Sequence, residues 1–355
     1  MKKIVWLGLM LSSLIMGNDY DMGLVAYEDT DYQHAKKYFI KAAKKKNVLA
    51  QYYLGMMYDN GQGVKQDYKK AVSFYKKAAK QGLDRAQSSL GFMYEVGYGV
   101  AKDDVLAVKM YEKAAAQGYA PAQYNLGYMY ASGTGVIQDY TQAVVWYEKA
   151  AKQGIATAQY HLARMYDEGK DIAQDYEKAL YYYQQAATEG YALAQTHLAS
   201  MYLEGKGVEK EYVKAKMWYE KAVEQEEPSA QYHLASMYLY GQGVEKDMLE
   251  ALSLYQRSAN QGNVDAQNNL ASMYTSGKGI KKNYKKAVEI YEKLSSKGLP
   301  LAQYNLGLMY AYGQGVKKDY KKTYTLWTEA SKQGNEAARK NLELLCVKYP
   351  LVCKE

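Results

Sequence analysis

The sequence predicts an all-α protein, an α/α solenoid built from antiparallel helix pairs. Three observations carry that prediction. A 36-residue unit recurs without a slip of register from residue 50 onward, and its apolar positions fall at helical spacing. Proline occurs only at Pro121, Pro228, Pro300 and Pro350, which leaves the helices free to run. A length of 355 residues would suggest two or three domains on a prior of about 150 residues each, but a repeat array has no fixed domain size.

The first helix of each unit is marked by Ala50, Ala86, Ala122, Ala158, Ala194, Ala230, Ala266 and Ala302, each 36 apart, and Ala338 opens a truncated unit. A leucine follows four residues behind, from Leu54 to Leu342, and a tyrosine four behind that, from Tyr58 to Tyr310. Spacings of four and four put all three on one helix face. The helix stops at a glycine, Gly61 in the first unit and Gly313 in the last, which can take positive φ. A Gly-x-Gly-Val turn leads to an acidic cap, seen at Asp67, Asp103, Asp139, Asp175, Asp247 and Asp319. The second helix then buries Ala71, Tyr75, Ala78 and Ala79 or their equivalents and ends at Gly82 or its equivalent. Pro121, Pro228 and Pro300 stand at the start of first helices, where a missing amide hydrogen costs little.

One helix pair alone is too small to offset an ordering entropy of about 1.5 kcal/mol per residue. Stacking the pairs buries the Leu and Tyr rows between neighbours, so stability resides in the interfaces between repeats. This gives a signal segment at 1–17, an N-terminal capping partial repeat at 18–49, eight repeats at 50–337, and a C-terminal capping helix and tail at 338–355.

The unit reads A-Q-x-x-L-[GA]-x-M-Y-x-x-G-x-G-V-x-x-D-Y-x-x-A-x-x-x-Y-x-x-A-A-x-x-G, and it resembles the Sel1-like repeat family, relatives of the tetratricopeptide repeats. The resemblance implies a right-handed superhelix whose first helices line the concave wall. It implies a non-catalytic protein–protein interaction scaffold or adaptor of the bacterial envelope. Two alternatives come with it: a periplasmic immunity or inhibitor protein for a secreted toxin, and a β-lactamase-like penicillin-binding hydrolase. The β-lactam branch of the family carries a paired cysteine in every repeat, and here that pair is missing. Local departures are Asp171 for a loop glycine, Asp104 and Met248 for the tyrosine after the cap, Glu226 for the closing glycine, and Trp327 for tyrosine. They predict irregular loops near residues 171 and 226.

The first seventeen residues follow a different pattern. Lys2 and Lys3 precede an apolar run from Ile4 to Met16, too short for a bilayer core of about 30 Å, which takes about 20 residues. A secretory signal peptide fits, with an uncleaved anchor as the alternative because Ile15 is large for its place before Gly17. The expected location is periplasmic or secreted. The two cysteines, Cys346 and Cys353, lie beyond the last repeat with Pro350 between them. They either close a disulfide, contributing on the order of 2–3 kcal/mol, or remain free thiols; export favours the disulfide.

The formal charge is +8, almost all from lysine; Arg85, Arg164, Arg257 and Arg339 are the only arginines. Nucleic-acid readers depend on arginine for bidentate contacts, so nucleic acid is not an expected partner. Lysine doublets such as Lys69-Lys70, Lys76-Lys77 and Lys321-Lys322 read as a solvated convex surface, with weak association to the envelope surface left open. A monomer is expected rather than an obligate oligomer.

Chemistry is sparse. The Gly-x-Gly-Val loops recur too regularly to be a phosphate cradle, and neither a preceding strand nor a P-loop Lys-Ser or Lys-Thr accompanies them. Ser73 and Lys76 form a Ser-x-x-Lys string without the other strings of the serine enzymes that use it. His161, His197 and His233 share one register, but helices of adjacent repeats lie about 8–10 Å apart and zinc needs every ligand within about 2.1 Å. Neither metal, cofactor nor catalytic residue is expected. That register instead reads Tyr53, Ser89, Asn125, His161, His197, His233, Asn269, Asn305, polar or amphipathic throughout. Beside it runs a variable row: Met56, Phe92, Tyr128, Arg164, Ser200, Ser236, Ser272, Leu308. The concave wall is therefore expected to bind a protein or peptide. The Asn/His row would supply hydrogen bonds, and Met56, Phe92 and Tyr128 apolar anchors. The alternative is that the row only satisfies neighbouring groups between repeats.

Overall fold

The computed structural model describes residues 18–170 and 172–353. Residues 1–17, read as an export signal, and Asp171, where an irregular loop is expected, lie outside them. Nineteen α-helices and no strand occur among the described residues. The chain forms two compact units divided after Asp175. The first holds α1 (Asp19–Glu28), α2 (Tyr32–Lys44), α3 (Val48–Asn60), α4 (Tyr68–Lys80), α5 (Asp84–Val96), α6 (Asp104–Ala116), α7 (Ala120–Ser132), α8 (Tyr140–Ala151) and α9 (Ala156–Glu168). The second holds α10 (Tyr176–Thr188), α11 (Ala192–Glu204), α12 (Tyr212–Glu224), α13 (Pro228–Tyr240), α14 (Met248–Asn260), α15 (Val264–Ser276), α16 (Tyr284–Ser295), α17 (Pro300–Tyr312), α18 (Tyr320–Lys332) and α19 (Glu336–Lys348). Within each unit consecutive helices pack on one another, first helix on second and second on the next first. The result is a solenoid of 36-residue repeats. The segment at 18–49 carries a helix pair of its own, α1 and α2, joined by the short turn Asp29–Asp31.

Each repeat is assembled by the same local rules. Asp67 accepts a bond from the Lys70 amide at 3.0 Å, and Asp103, Asp139, Asp247 and Asp319 cap their helices in the same way. The amide of Asp67 donates to the carbonyl of Tyr58 at 2.8 Å, which clamps the seven-residue turn at 61–67; the same bond recurs in the following repeats. Within that turn Gly63 has φ +63°, and a Cβ there would lie 2.5 Å from Cβ of Tyr32. The turn of one repeat therefore rests on the start of the preceding second helix, and only glycine fits.

The core is built around one ring per repeat. Tyr75, Tyr111 and Tyr147 in the first unit, and Tyr183, Tyr219, Tyr255 and Tyr291 in the second, are almost wholly buried. Gly55 on α3 makes room for Tyr75, since a Cβ would stand 2.5 Å from its ring. Trp327 fills the same place in the last full repeat and donates its indole N–H to the Tyr304 carbonyl at 3.0 Å. The alanine rows of both helices are fully buried, so backbones approach closely around each ring.

Burying rings also buries polar groups, and a glutamine ladder accommodates them. Gln81 donates to Gln51 at 2.9 Å, and Gln117 to Gln87 at 2.8 Å. Gln87 in turn donates to the Ala79 carbonyl at the end of the preceding second helix. In the second unit the ladder runs through Gln225–Gln195, Gln261–Gln231 and Gln333–Gln303. It is interrupted where Lys297 takes the donor's place, and there Gln267 Oε1 is buried with no partner.

The loop at residue 226 is regular, contrary to the sequence expectation. Glu226 adopts φ +59°, the left-handed conformation that glycine takes elsewhere, and the turn keeps its usual backbone bonds. Its carboxylate accepts from Arg257 at 2.7 Å and from Gln231 at 2.8 Å, and Arg257 holds it below the usual carboxylate range. Two side-chain bonds thus fix a conformation that a non-glycine residue rarely takes. At the C-terminus Cys346 and Cys353 are disulfide-bonded, and Tyr349 stacks on Tyr320 of α18 with centroids 4.2 Å apart.

Lys297→Gln restores the missing donor opposite Gln267. The expected gain is about 1 kcal/mol, read as a higher midpoint in urea unfolding. An unchanged or lower midpoint contradicts the role given to the ladder.

Candidate functional site

The polar row expected to face a ligand lies one step further inside. Each member stands fourteen residues after the buried ring of the preceding second helix, and all but Asn305 are seen to meet that ring. In the first unit Tyr53 stacks on Phe39 with centroids 5.1 Å apart, and His161 on Tyr147 at 5.7 Å. Asn125 lies beside the hydroxyl of Tyr111, as Ser89 does beside that of Tyr75. In the second unit His197 stacks on Tyr183 at 5.2 Å, His233 stacks on Tyr219 at 5.4 Å, and Asn269 lies beside the hydroxyl of Tyr255. Asn305 occupies the same register. All are half-buried.

Burial alters their chemistry. The Tyr75 and Tyr111 hydroxyls are pushed far above the ordinary tyrosine range, first by desolvation and then by the carboxylates they meet. Tyr255, whose hydroxyl lies beside Ser236, is pushed up to about 12. His161 is lowered by burial and by nearby Arg164; His233 is lowered by burial and by His197, against opposing pulls from Glu204 and Asp265. Among the described residues no group of three or more His, Cys, Asp or Glu is placed to hold a metal ion. Ser73 and Lys76 stand exposed on α4, with Lys76 over the Tyr94 ring at 5.5 Å.

The variable row divides in two, for a reason that sequence reading missed. Four of the buried tyrosine hydroxyls, those of Tyr75, Tyr111, Tyr219 and Tyr255, meet a partner on the first helix of their own repeat. Tyr75 donates to Asp59 at 3.1 Å and Tyr111 to Glu95 at 2.7 Å. Where that acidic position is Leu203 or Leu239, the partner is Ser200 or Ser236 of the variable row, at 2.8 and 2.7 Å. The serines are thus occupied by the core. Met56 and Phe92 carry no such duty, because Asp59 and Glu95 perform it. In these four repeats the signal lay in the pairing of the two positions: Asp59 with Met56 and Glu95 with Phe92, but Leu203 with Ser200 and Leu239 with Ser236.

What remains free on the first-helix face of the first unit is aromatic. Phe92 and Tyr128 are each 46% exposed. Val96 and Tyr98 adjoin them; Tyr98 stacks on Tyr68 at 4.5 Å, and Phe92 presents its edge to Tyr98 at 6.3 Å. Met56 is half-buried alongside.

A ladder of helix pairs with packed rows inside and repeated turns between them defines a helical-repeat solenoid of the kind that generally mediates protein–protein binding. The chain belongs to the Sel1 repeat family. The family model, described as Sel1 repeat, matches residues 15–47, 48–83, 84–119, 120–155, 156–191, 192–226, 228–263, 264–299 and 300–335. The chain is similar to a crystal structure of a protective antigen from uropathogenic Escherichia coli displaying an SLR fold. Identity is 35% over 91% of this chain and 78% of that one, with a TM-score of 0.72. A Sel1 repeat protein from Oxalobacter formigenes is 32% identical over 87% of this chain and 89% of its own, with a TM-score of 0.67. The tetratricopeptide-repeat STAND ATPase of Pyrococcus horikoshii shares the fold alone, at 16% identity over 92% of this chain and 54% of its own, TM-score 0.54. No curated protein matches the chain.

Burial that lowers a histidine favours its neutral form in the fold, so the stabilisation is complete above its ordinary value of 6.5 and is lost as pH falls below it. Replacing His161 and His233 by asparagine, the residue this register holds at 125 and 269, removes that loss. The drop in thermal midpoint between about pH 7 and pH 5 should then shrink. An equal drop in both proteins contradicts the assignment.

Proposed function

We propose that the protein is a non-catalytic protein-interaction scaffold of the bacterial envelope. The first-helix face of its first unit takes an extended peptide or protein segment. One observation carries this reading: Phe92 and Tyr128 remain nearly half exposed in a row where Ser200 and Ser236 are taken up by the core. Exposed aromatic patches of this kind mark interaction sites. Met56 and Tyr98 extend the patch, and the rows holding Tyr53, Asn125 and His161 offer their polar edges to a bound main chain. In the second unit His197, His233, Asn269 and Asn305 present the same edges. Membership in the Sel1 repeat family supports a protein-binding role. The basic head and apolar run at residues 2–16 support export, as does the relative described as a protective antigen. Among the described residues no helix is long and apolar enough to cross a membrane.

Affinity capture on the purified chain, read by mass spectrometry, identifies the partner. The Phe92→Ala/Tyr128→Ala double variant should weaken its capture at least roughly a hundredfold while the melting temperature holds. Asn125→Ala should do the opposite, lowering the melting temperature more than the binding. Undiminished capture by the double variant overturns the site.

A further inference from the structure

Lysine is not spread evenly over the chain. Residues 36–80 contain twelve lysines, two aspartates and no glutamate or arginine, a net +10 where the whole chain nets +8. All other residues together therefore net −2. Most of the twelve stand on α2 and α4, both second helices of the first unit. One side of α2 is buried through Ala35, Phe39 and Ala42, and one side of α4 through Ala71, Val72, Tyr75 and Ala78. The lysines occupy the opposite sides as stripes at helical spacing: Lys37, Lys41 and Lys44 on α2, and Lys69, Lys76 and Lys80 on α4. Phe74 of α4 packs against the cluster that Ala35, Phe39 and Ala42 of α2 form with Ala50, Leu54 and Met57 of α3, so both helices bear on one core and carry their lysines on the sides turned away from it.

Little of this charge is neutralised within the fold. Lys45 meets Asp19 at 2.6 Å and Lys70 meets Asp67 at 3.3 Å. Among the described residues no carboxylate lies within ion-pair distance of Lys37, Lys41, Lys44, Lys76 or Lys80. Lys41 extends over the Tyr38 ring at 5.6 Å and Lys77 over Phe74 at 5.0 Å, so their stems cover apolar surface while the ammonium groups face water. An ammonium is a compact point charge suited to phosphate, whereas bidentate grasp of carboxylates or guanine edges belongs to arginine, which this face lacks. Two exposed stripes of lysines without ion pairs match a sheet of phosphates better than a single extended chain.

We propose that the lysine stripes of α2 and α4 dock this protein onto the phosphate head groups of an anionic lipid bilayer, leaving the first-helix face free. The full chain should co-sediment with vesicles of equal parts phosphatidylcholine and phosphatidylglycerol and not with phosphatidylcholine alone, and salt should release it. Each lysine removed should weaken the partition about fivefold, so Lys37→Glu/Lys41→Glu/Lys76→Glu/Lys80→Glu should lose at least about a hundredfold. A control with the same charge change elsewhere, Lys281→Glu/Lys285→Glu/Lys293→Glu/Lys317→Glu, should retain most of the binding. The corresponding Lys→Gln variant of the stripe, with an unchanged circular dichroism spectrum, separates lost charge from lost fold and should bind weakly too. The proposal is overturned if the wild type ignores phosphatidylglycerol or binds neutral vesicles equally. It is also overturned if the control loses as much as the stripe variant, or if duplex DNA at equal phosphate concentration binds more tightly.

Discussion

One aromatic ring per repeat joins this molecule together. The ring of Tyr111 presses on α5 at Gly91, sends its hydroxyl to Glu95 on the same helix, and meets Asn125 on α7. A single side chain on α6 thereby touches the first helix of its own repeat and that of the next. Truncating such a ring to alanine would cost about 3–5 kcal/mol, comparable to a large share of what holds a domain folded. The glycine and alanine positions, the hydroxyl partners and the stacked histidines are all consequences of seating that ring.

Much of this was legible in the residues. Glycine at the end of a first helix and aspartate at the start of a second have local causes, positive φ and an unsatisfied amide, and Gly61 and Asp67 act as their types dictate. The helix pairs follow from spacing alone. Non-local matters were harder to read. His161 and Asn125 sit at a position that on an isolated helix would face solvent, and only the ring fourteen residues earlier draws them inward. The glutamine ladder was invisible for the same reason, because Gln51 and Gln81 meet across two helix ends. Glu226 looked like a fault in the pattern, yet Arg257 and Gln231 keep the turn that glycine would have made.

The same seating decides which surface is free. A first-helix position recruited to a tyrosine hydroxyl is fixed by folding, and one relieved of that duty is free to vary. In the first unit Asp59 and Glu95 relieve Met56 and Phe92, and the apolar row appears there. The lysine-rich side of α2 and α4 lies opposite the buried side of those helices, so the two candidate surfaces belong to different helices. Binding at one leaves the other open.

Amide hydrogen exchange on Tyr111→Ala tests the linking role of the ring most directly. The account predicts that protection falls in α6 and also in α5 and α7, the helices that the ring touches on either side. Loss confined to α6, with α5 and α7 as protected as in the wild type, would contradict it.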